Sequence, residues 1–209
     1  MADITIYGLA PSTYVRTARM AAEEKGISHE LQQIDLHNPD YRKIHPFARM
    51  PAMKHGDMML YETSAIARYI DEAFSGPKLQ PSDVKARAEM NKWISASNAY
   101  IDGYFTRQVL FERMVKPRFF NQPTDEGVIA RAMPEAQKHF DVLDAELGKR
   151  TWLAGNEFSL ADMFVAPIIF YAPMCPEGQQ LMKGKANIDK WFGRVSSRKA
   201  FGATAPQFG

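Results

Sequence analysis

The chain has 209 residues, 45% hydrophobic and 24% charged, the make-up of a soluble globular protein with room for one large or two small domains. Its net charge of +2, with both signs intermixed, leaves no electrostatic footprint for nucleic acid, and neither a bilayer-spanning apolar run nor a charged-then-apolar leader is present, so no membrane is expected. A single cysteine, Cys175, excludes an intramolecular disulfide and any Cys-x-x-Cys pair and points to the cytoplasm, while the five histidines lack metal-ligand spacing, so no metal is expected.

Ile4-Thr5-Ile6-Tyr7 reads as a first strand, ended by Gly8 and Pro11, after which Ser12 or Thr13 can cap a helix running towards Gly26. Val15, Ala18 and Ala22 mark the buried side of that helix, and Arg16, Arg19, Glu23 and Lys25 its solvated side. A second strand within residues 28–36 rests on β-α-β order more than on its own weak pattern. Residues 37–46 are polar and irregular, with room for one helical turn. Pro51 then stands before a short apolar run, where a residue without a ladder donor belongs and where a cis X-Pro bond is most plausible. Gly56-Asp57 separates Ala52–His55 from Met58–Tyr61 as a two-residue hairpin turn. Beyond Tyr61, Ile66, Tyr69, Ile70, Ala73 and Phe74 keep helical spacing.

Gly76-Pro77 and Pro81 bracket a linker, and strand signals stop after it. Met90, Trp93, Ile94, Ser97, Ile101, Tyr104 and Phe105 repeat as one face of a long helix. Its second stripe, Tyr100, Tyr104, Arg107, Phe111 and Met114, reads first as core or subunit interface and second as a pocket wall. Residues 124–148 give another helix, with Ile129, Met133, Ala136, Phe140, Leu143 and Leu147 on one side and Pro134 as a possible kink. Ser159 with Asp162 three residues on is a capping-box pattern, followed by a buried helix. A last helix carries Ile188, Trp191, Phe192 and Val195 in register. The expected fold is therefore α+β, with domains at 1–78 and 84–209.

The chemistry gathers where strand turns into helix at Glu62-Thr63-Ser64. Unpaired helix N-terminal amides attract a carboxylate, and the Glu62 side chain can receive an ammonium. A ligand with both groups on one carbon, an α-amino acid end, is held at both charges. A cis bond at Met50-Pro51 would present the Met50 backbone to an extended peptide as a borrowed strand. The site thus reads as one for a short peptide with an amino-acid head; on the plainer reading Pro51 merely starts a strand and Thr63 merely caps a helix.

His45-Pro46-Phe47-Ala48-Arg49-Met50-Pro51, then Glu62-Thr63-Ser64-Ala65-Ile66, resembles the glutathione-binding segment of the glutathione transferase superfamily. There Asn-Pro-Phe-Gly-x-Val-Pro precedes a hairpin and Glu-Ser-x-Ala-Ile opens a helix. His for Asn, Ala for Gly, Met for Val and Thr for Ser are the departures, and Thr63 keeps the hydroxyl. Gly155 to Asp162 is similar to the family's Gly-x-x-x-(Ser/Thr)-x-Ala-Asp motif, whose role is in folding. The resemblance implies a thioredoxin-like N-terminal domain, an all-helical second domain, and a cytosolic homodimer with Arg68 and the outer face of its helix near the two-fold axis. It also implies glutathione as co-substrate and a small apolar electrophile as second substrate.

A free thiol with a pKa of about 8.5 is mostly protonated at neutral pH, so an enzyme that uses it must stabilise the thiolate. Gly8-Leu9-Ala10-Pro11-Ser12 resembles the serine-type classes, notably the phi class, in which a serine at this spacing donates to the sulfur. Ser12 is the expected catalytic residue; Thr13 and Tyr7 are its rivals. No cysteine lies near this turn, against the thiol-exchange classes. The same resemblance implies that Met50, Pro51, Glu62 and Thr63 bind glutathione, with His37 or Arg49, or else Lys43, at its glycyl carboxylate. The electrophile's pocket would draw on Pro11, Tyr100, Tyr104 and Phe111. A glutathione-dependent peroxidase, isomerase or dehalogenase, or a non-catalytic binding or regulatory protein, are the alternatives on the same scaffold.

Overall fold

The computed structural model describes residues 3–207. These divide into two compact units, one reaching to Pro81 and rejoined by the tail from Ser196, the other Ser82–Val195.

The first unit is built on a four-stranded sheet of order β2-β1-β3-β4, from β1 (Ile4–Tyr7), β2 (His29–Gln32), β3 (Ala52–His55) and β4 (Met58–Tyr61). β1 and β2 run parallel across the helix α1 (Thr13–Lys25), while β3 pairs antiparallel with both β1 and β4. Parallel neighbours need a crossover, and α1 supplies it. Gly56 turns the β3–β4 hairpin with φ 57°, the left-handed conformation such a turn requires. A 3₁₀ turn over Pro39–Lys43, capped by Asn38, is the one helical turn expected in the irregular stretch. The helix α2 (Thr63–Ala73) follows β4. Ile4, Ile6, Val15, Ala18, Met53, Ile66 and Ile70 form the core of this unit. Tyr7 falls on the opposite face by strand alternation, in a cluster with Tyr41 and Ala52.

Two expected surface charges of α1 are buried. Arg16 is 1% exposed: its guanidinium lies 3.8 Å over the Phe201 ring and Nη2 donates to the Phe201 carbonyl at 2.9 Å. Lys25 is 6% exposed, and its Nζ meets Asp71 Oδ1 at 3.2 Å and the carbonyls of Asp71 and Pro77 at 3.0 Å each. A buried charge is tolerated when it is paired and hydrogen-bonded, as Lys25 is by Asp71, whereas Arg16 rests on the Phe201 carbonyl and ring. Arg198 grips Glu24 through two bonds of 2.6 and 2.7 Å. Together with Arg16 this pins the tail and its helix α9 (Lys199–Ala203) against α1. The tail from Ser196 therefore packs with the first unit, whereas the expected second domain ran on to 209.

The second unit is helical. α3 (Val84–Ala96) continues into a π-helical stretch over Ser97–Val115 and the short α4 (Lys116–Phe120). In the π stretch Arg107 pairs with Asp102, Gln108 bonds the Gly103 carbonyl, and the Lys116 amide bonds the Phe111 carbonyl, each five residues apart. Its inward residues, Ser97, Ile101, Phe105 and Val109, therefore step by four, and Tyr104, expected on the buried face, is only half-buried. α5 (Glu126–Leu147) carries Pro134 within it and buries Ile129, Ala136, Phe140, Leu143 and Leu147 as expected, with Met133 half-buried.

α6 (Leu160–Ile169) is wholly buried and opens with the Ser159–Asp162 capping box. α7 (Pro176–Met182) and α8 (Ala186–Ser196) complete the helices. Among the described residues no helix is long and apolar enough to cross a membrane.

Candidate functional site

Strand register places the expected glutathione-binding residues at one end of the sheet. Tyr7 pairs with Ala52, and Ala52 with Tyr61, on one line across β1, β3 and β4. The residues just past Tyr7, just before Ala52 and just past Tyr61 therefore leave the sheet side by side. These are the turn Gly8–Ser12, the dipeptide Met50-Pro51, and Glu62-Thr63.

The turn after β1 is tight because Gly8 meets Val15. A Cβ on Gly8 would stand 2.3 Å from Val15 Cγ2, so only glycine allows α1 to start so close to its strand. Ser12 is the N-cap of α1: its hydroxyl accepts from the Val15 amide at 3.4 Å, and its carbonyl accepts from the Arg16 amide at 2.9 Å. A hydroxyl that accepts keeps its own hydrogen to donate. Ser12 is half-buried, and no acidic side chain stands in the first turn of α1 to compete with an anion there. The rivals stand differently. Thr13 is the first helical residue and buried, and Tyr7 lines a hollow of about 180 Å³ with Gln32, Asp35 and Tyr41.

The Met50-Pro51 bond is cis. Pro51 is buried and Met50 half-buried, immediately before β3. Glu62, not Thr63, is the N-cap residue of α2, and its side chain makes no capping bond. Its φ of 72° and ψ of 114° are rare for a residue with a Cβ, a conformation that costs on the order of 1–3 kcal/mol and gathers at functional sites. The Glu62 carbonyl accepts from the amides of Ala65 and Ile66 at 3.0 and 2.9 Å. The Thr63 and Ser64 amides thus open the helix without an intrahelical partner. An exposed carboxylate beside free helix amides is the pairing an α-amino acid end requires.

Of the basic candidates nearby, His37 is exposed, with its amide bonded to Asp35 Oδ1 at 2.8 Å. Lys43 is engaged in an exposed pair with Asp40 at 2.7 Å. Arg49 is exposed, and its carbonyl accepts from the Tyr41 hydroxyl at 2.8 Å. Two residues of this region escape sequence reading. Tyr41 is 5% exposed, and burial pushes its phenol up to about 12. His45 is buried with its ring 5.0 Å from that of Tyr61; burial pushes its imidazole down, opposed by Glu62.

In the helical unit, Tyr100 lines an apolar hollow of about 450 Å³ with Trp93, Ile101, His139 and Val142. Tyr104 also meets His139, at 5.3 Å between rings, so this pair is brought together on α5. Phe111 packs instead against Phe120, at 5.9 Å. Pro11 belongs to the first unit and is half-buried in the turn before Ser12.

The profile of the glutathione S-transferase N-terminal domain matches residues 6–78, and that of the C-terminal domain residues 105–199. Glutathione S-transferase F10 of Arabidopsis thaliana is 31% identical over 85% of this chain and 85% of its own length. The chain belongs to the glutathione S-transferase family. Glutathione S-transferase 3 of Zea mays is 28% identical over 98% of this chain and 94% of its own. Among solved structures, glutathione transferase F2 of Populus trichocarpa superposes with a TM-score of 0.87 at 28% identity, covering 96% of each chain. These glutathione transferases of plants are similar to this chain over almost its whole length. The thioredoxin-like first unit and the helical second unit are accordingly the two parts of a glutathione S-transferase fold.

Proposed function

We propose that this protein joins glutathione to small apolar electrophiles, with Ser12 holding the thiolate. The observation that carries this reading is the shared register of Tyr7, Ala52 and Tyr61, which brings Ser12, Met50-Pro51 and Glu62-Thr63 to one end of the sheet. Glu62 receives the ammonium of the γ-glutamyl end, and the Thr63 and Ser64 amides receive its carboxylate. The Met50 backbone pairs with the cysteinyl residue. Arg49, whose side chain forms no ion pair among the described residues, meets the glycyl carboxylate ahead of His37 and of Lys43, which already has a partner. The Ser12 hydroxyl donates to the sulfur, aided by the partial positive charge at the start of α1. The thiol proton leaves to solvent, the sulfur pair forms a bond to the electrophilic carbon, and the leaving group departs with its own pair. The first unit thus serves glutathione, and the helical unit, with the apolar walls around Tyr100 and Tyr104, serves the electrophile.

Turnover of glutathione with a chloronitroaromatic, run beside a peroxide, tests the reading. Conjugation is the expected activity; peroxide reduction alone, or neither, contradicts it. The binding assignment has its own test. Glu62→Ala is expected to weaken glutathione binding about tenfold to a hundredfold, because a hydrogen bond to a charged group nets about 1.5–3 kcal/mol. Calorimetry showing unchanged affinity rules Glu62 out.

The protein is further expected to be a cytoplasmic homodimer, with Arg68 and its face of α2 near the two-fold axis. Sedimentation at micromolar concentration should give twice the chain mass of 23.7 kDa, and a monomer there contradicts the assignment.

A further inference from the structure

The segment that meets glutathione is held by a side chain outside it, and the structure assigns Tyr41 the role of positioning residue for the Met50 backbone. The inference rests on the glutathione reading above. Residues 44–50 lie between the 3₁₀ turn and β3 with no sheet ladder of their own, so something else must fix their direction. Turns at both ends help: the Ile44 and His45 amides bond the Tyr41 carbonyl at 2.9 Å each, and the Ala48 amide bonds the His45 carbonyl at 2.8 Å. Neither reaches Met50. The Tyr41 hydroxyl does so through the neighbouring peptide unit, donating to the Arg49 carbonyl at 2.8 Å.

That bond acts on Met50 through covalent geometry. The Arg49 carbonyl and the Met50 amide belong to one planar peptide unit, and the plane is stiff. Holding the oxygen therefore sets the direction in which the Met50 N–H points. The anchor itself is rigid. Tyr41 is packed with Tyr7 and Ala52 beneath Ile34, Ile44, Met59 and Tyr61, so its ring has little freedom. The phenol, pushed up to about 12 by burial, stays protonated across the working pH range and remains a donor throughout. Ser12 lies on another segment, at the start of α1, and takes no part in this arrangement. Tyr41 consequently acts on how glutathione is seated and not on its sulfur.

Tyr41→Phe removes one oxygen and keeps the ring. The expected result is a glutathione KM and Kd raised about three- to tenfold, the effect of losing one neutral hydrogen bond of about 1 kcal/mol. The turnover number at saturating glutathione and the thiol pKa of the bound peptide are expected to stay as in the wild type. Hydrogen exchange of the free protein should quicken in the peptide spanning Arg49 and Met50 and nowhere else. A merely structural role would move melting temperature without this split between KM and turnover. Unchanged KM with unchanged local exchange overturns the proposal. So does a variant that fails to fold, because one loop bond cannot carry a domain. If the wild type itself does not bind glutathione, the functional reading falls and the Tyr41 proposal falls with it.

Discussion

Replacing Asp162 by alanine is expected to cost on the order of 3–5 kcal/mol of stability, the largest loss from any single residue discussed above. Asp162 is fully buried and accepts from four donors: the Leu153 amide at 3.0 Å, the Trp191 indole at 2.8 Å, and the Ser159 amide and hydroxyl at 3.0 and 3.2 Å. It therefore ties the start of α6 to the loop before it and to α8. Alanine leaves three buried N–H groups without an acceptor, each worth about 1–3 kcal/mol before relaxation, and removes half of a capping box. Urea unfolding at fixed protein concentration should show the midpoint fall sharply. A loss under about 1 kcal/mol would mean that water or a neighbouring carbonyl replaces the carboxylate. Glutathione affinity should change little in whatever fraction remains folded.

The capping box, the Gly56-Asp57 hairpin and the Ser12 cap were legible in the sequence because each depends on residues within a few positions. The course of α1 shows where such reading stops. Helical spacing placed Arg16 and Lys25 on the outside. Their partners lie 185 and 46 residues away, at Phe201 and Asp71, and no local pattern announces them. The same distance effect hid the tail, which joins the first unit through Phe201 on Arg16 and Arg198 on Glu24. Within the candidate site, the motif located Met50, Pro51, Glu62 and Thr63 by number. It did not show that Glu62 would take φ 72° and serve as the cap, because that conformation is imposed by the strand-to-helix corner. Tyr41 was invisible for a different reason: its role is one hydroxyl reaching eight positions along irregular chain. Along residues 97–115 the chain takes a wider turn than the 3.6 residues that helical spacing assumes, so the inward stripe steps by four and Tyr104 is only half-buried.

Ser12→Ala is expected to slow conjugation at neutral pH about tenfold to a hundredfold while leaving glutathione affinity nearly unchanged. The hydroxyl interacts with a charged sulfur, and such bonds net about 1.5–3 kcal/mol, which corresponds to about one to two pKa units. The thiol of bound glutathione in the variant should therefore titrate higher by that amount. Since the thiolate is the nucleophile, raising the pH should restore part of the rate without help from the protein. The sign is fixed by the chemistry: a donor favours the anion, so losing it raises the pKa. Thr13→Ala and Tyr7→Phe are expected to change neither rate nor titration beyond small packing losses.

Thiolate absorbance of the glutathione complex, titrated against pH in the wild type and in Ser12→Ala, tests the account most directly. The account predicts a wild-type midpoint below the ordinary thiol value of about 8.5 and a midpoint in the variant higher by one to two units. A midpoint that stays put in Ser12→Ala but moves in Tyr7→Phe would contradict it and make this a tyrosine-type enzyme. A midpoint unmoved in both, and in Thr13→Ala, would contradict it too, leaving the helix amides to hold the sulfur and Ser12 as a cap alone.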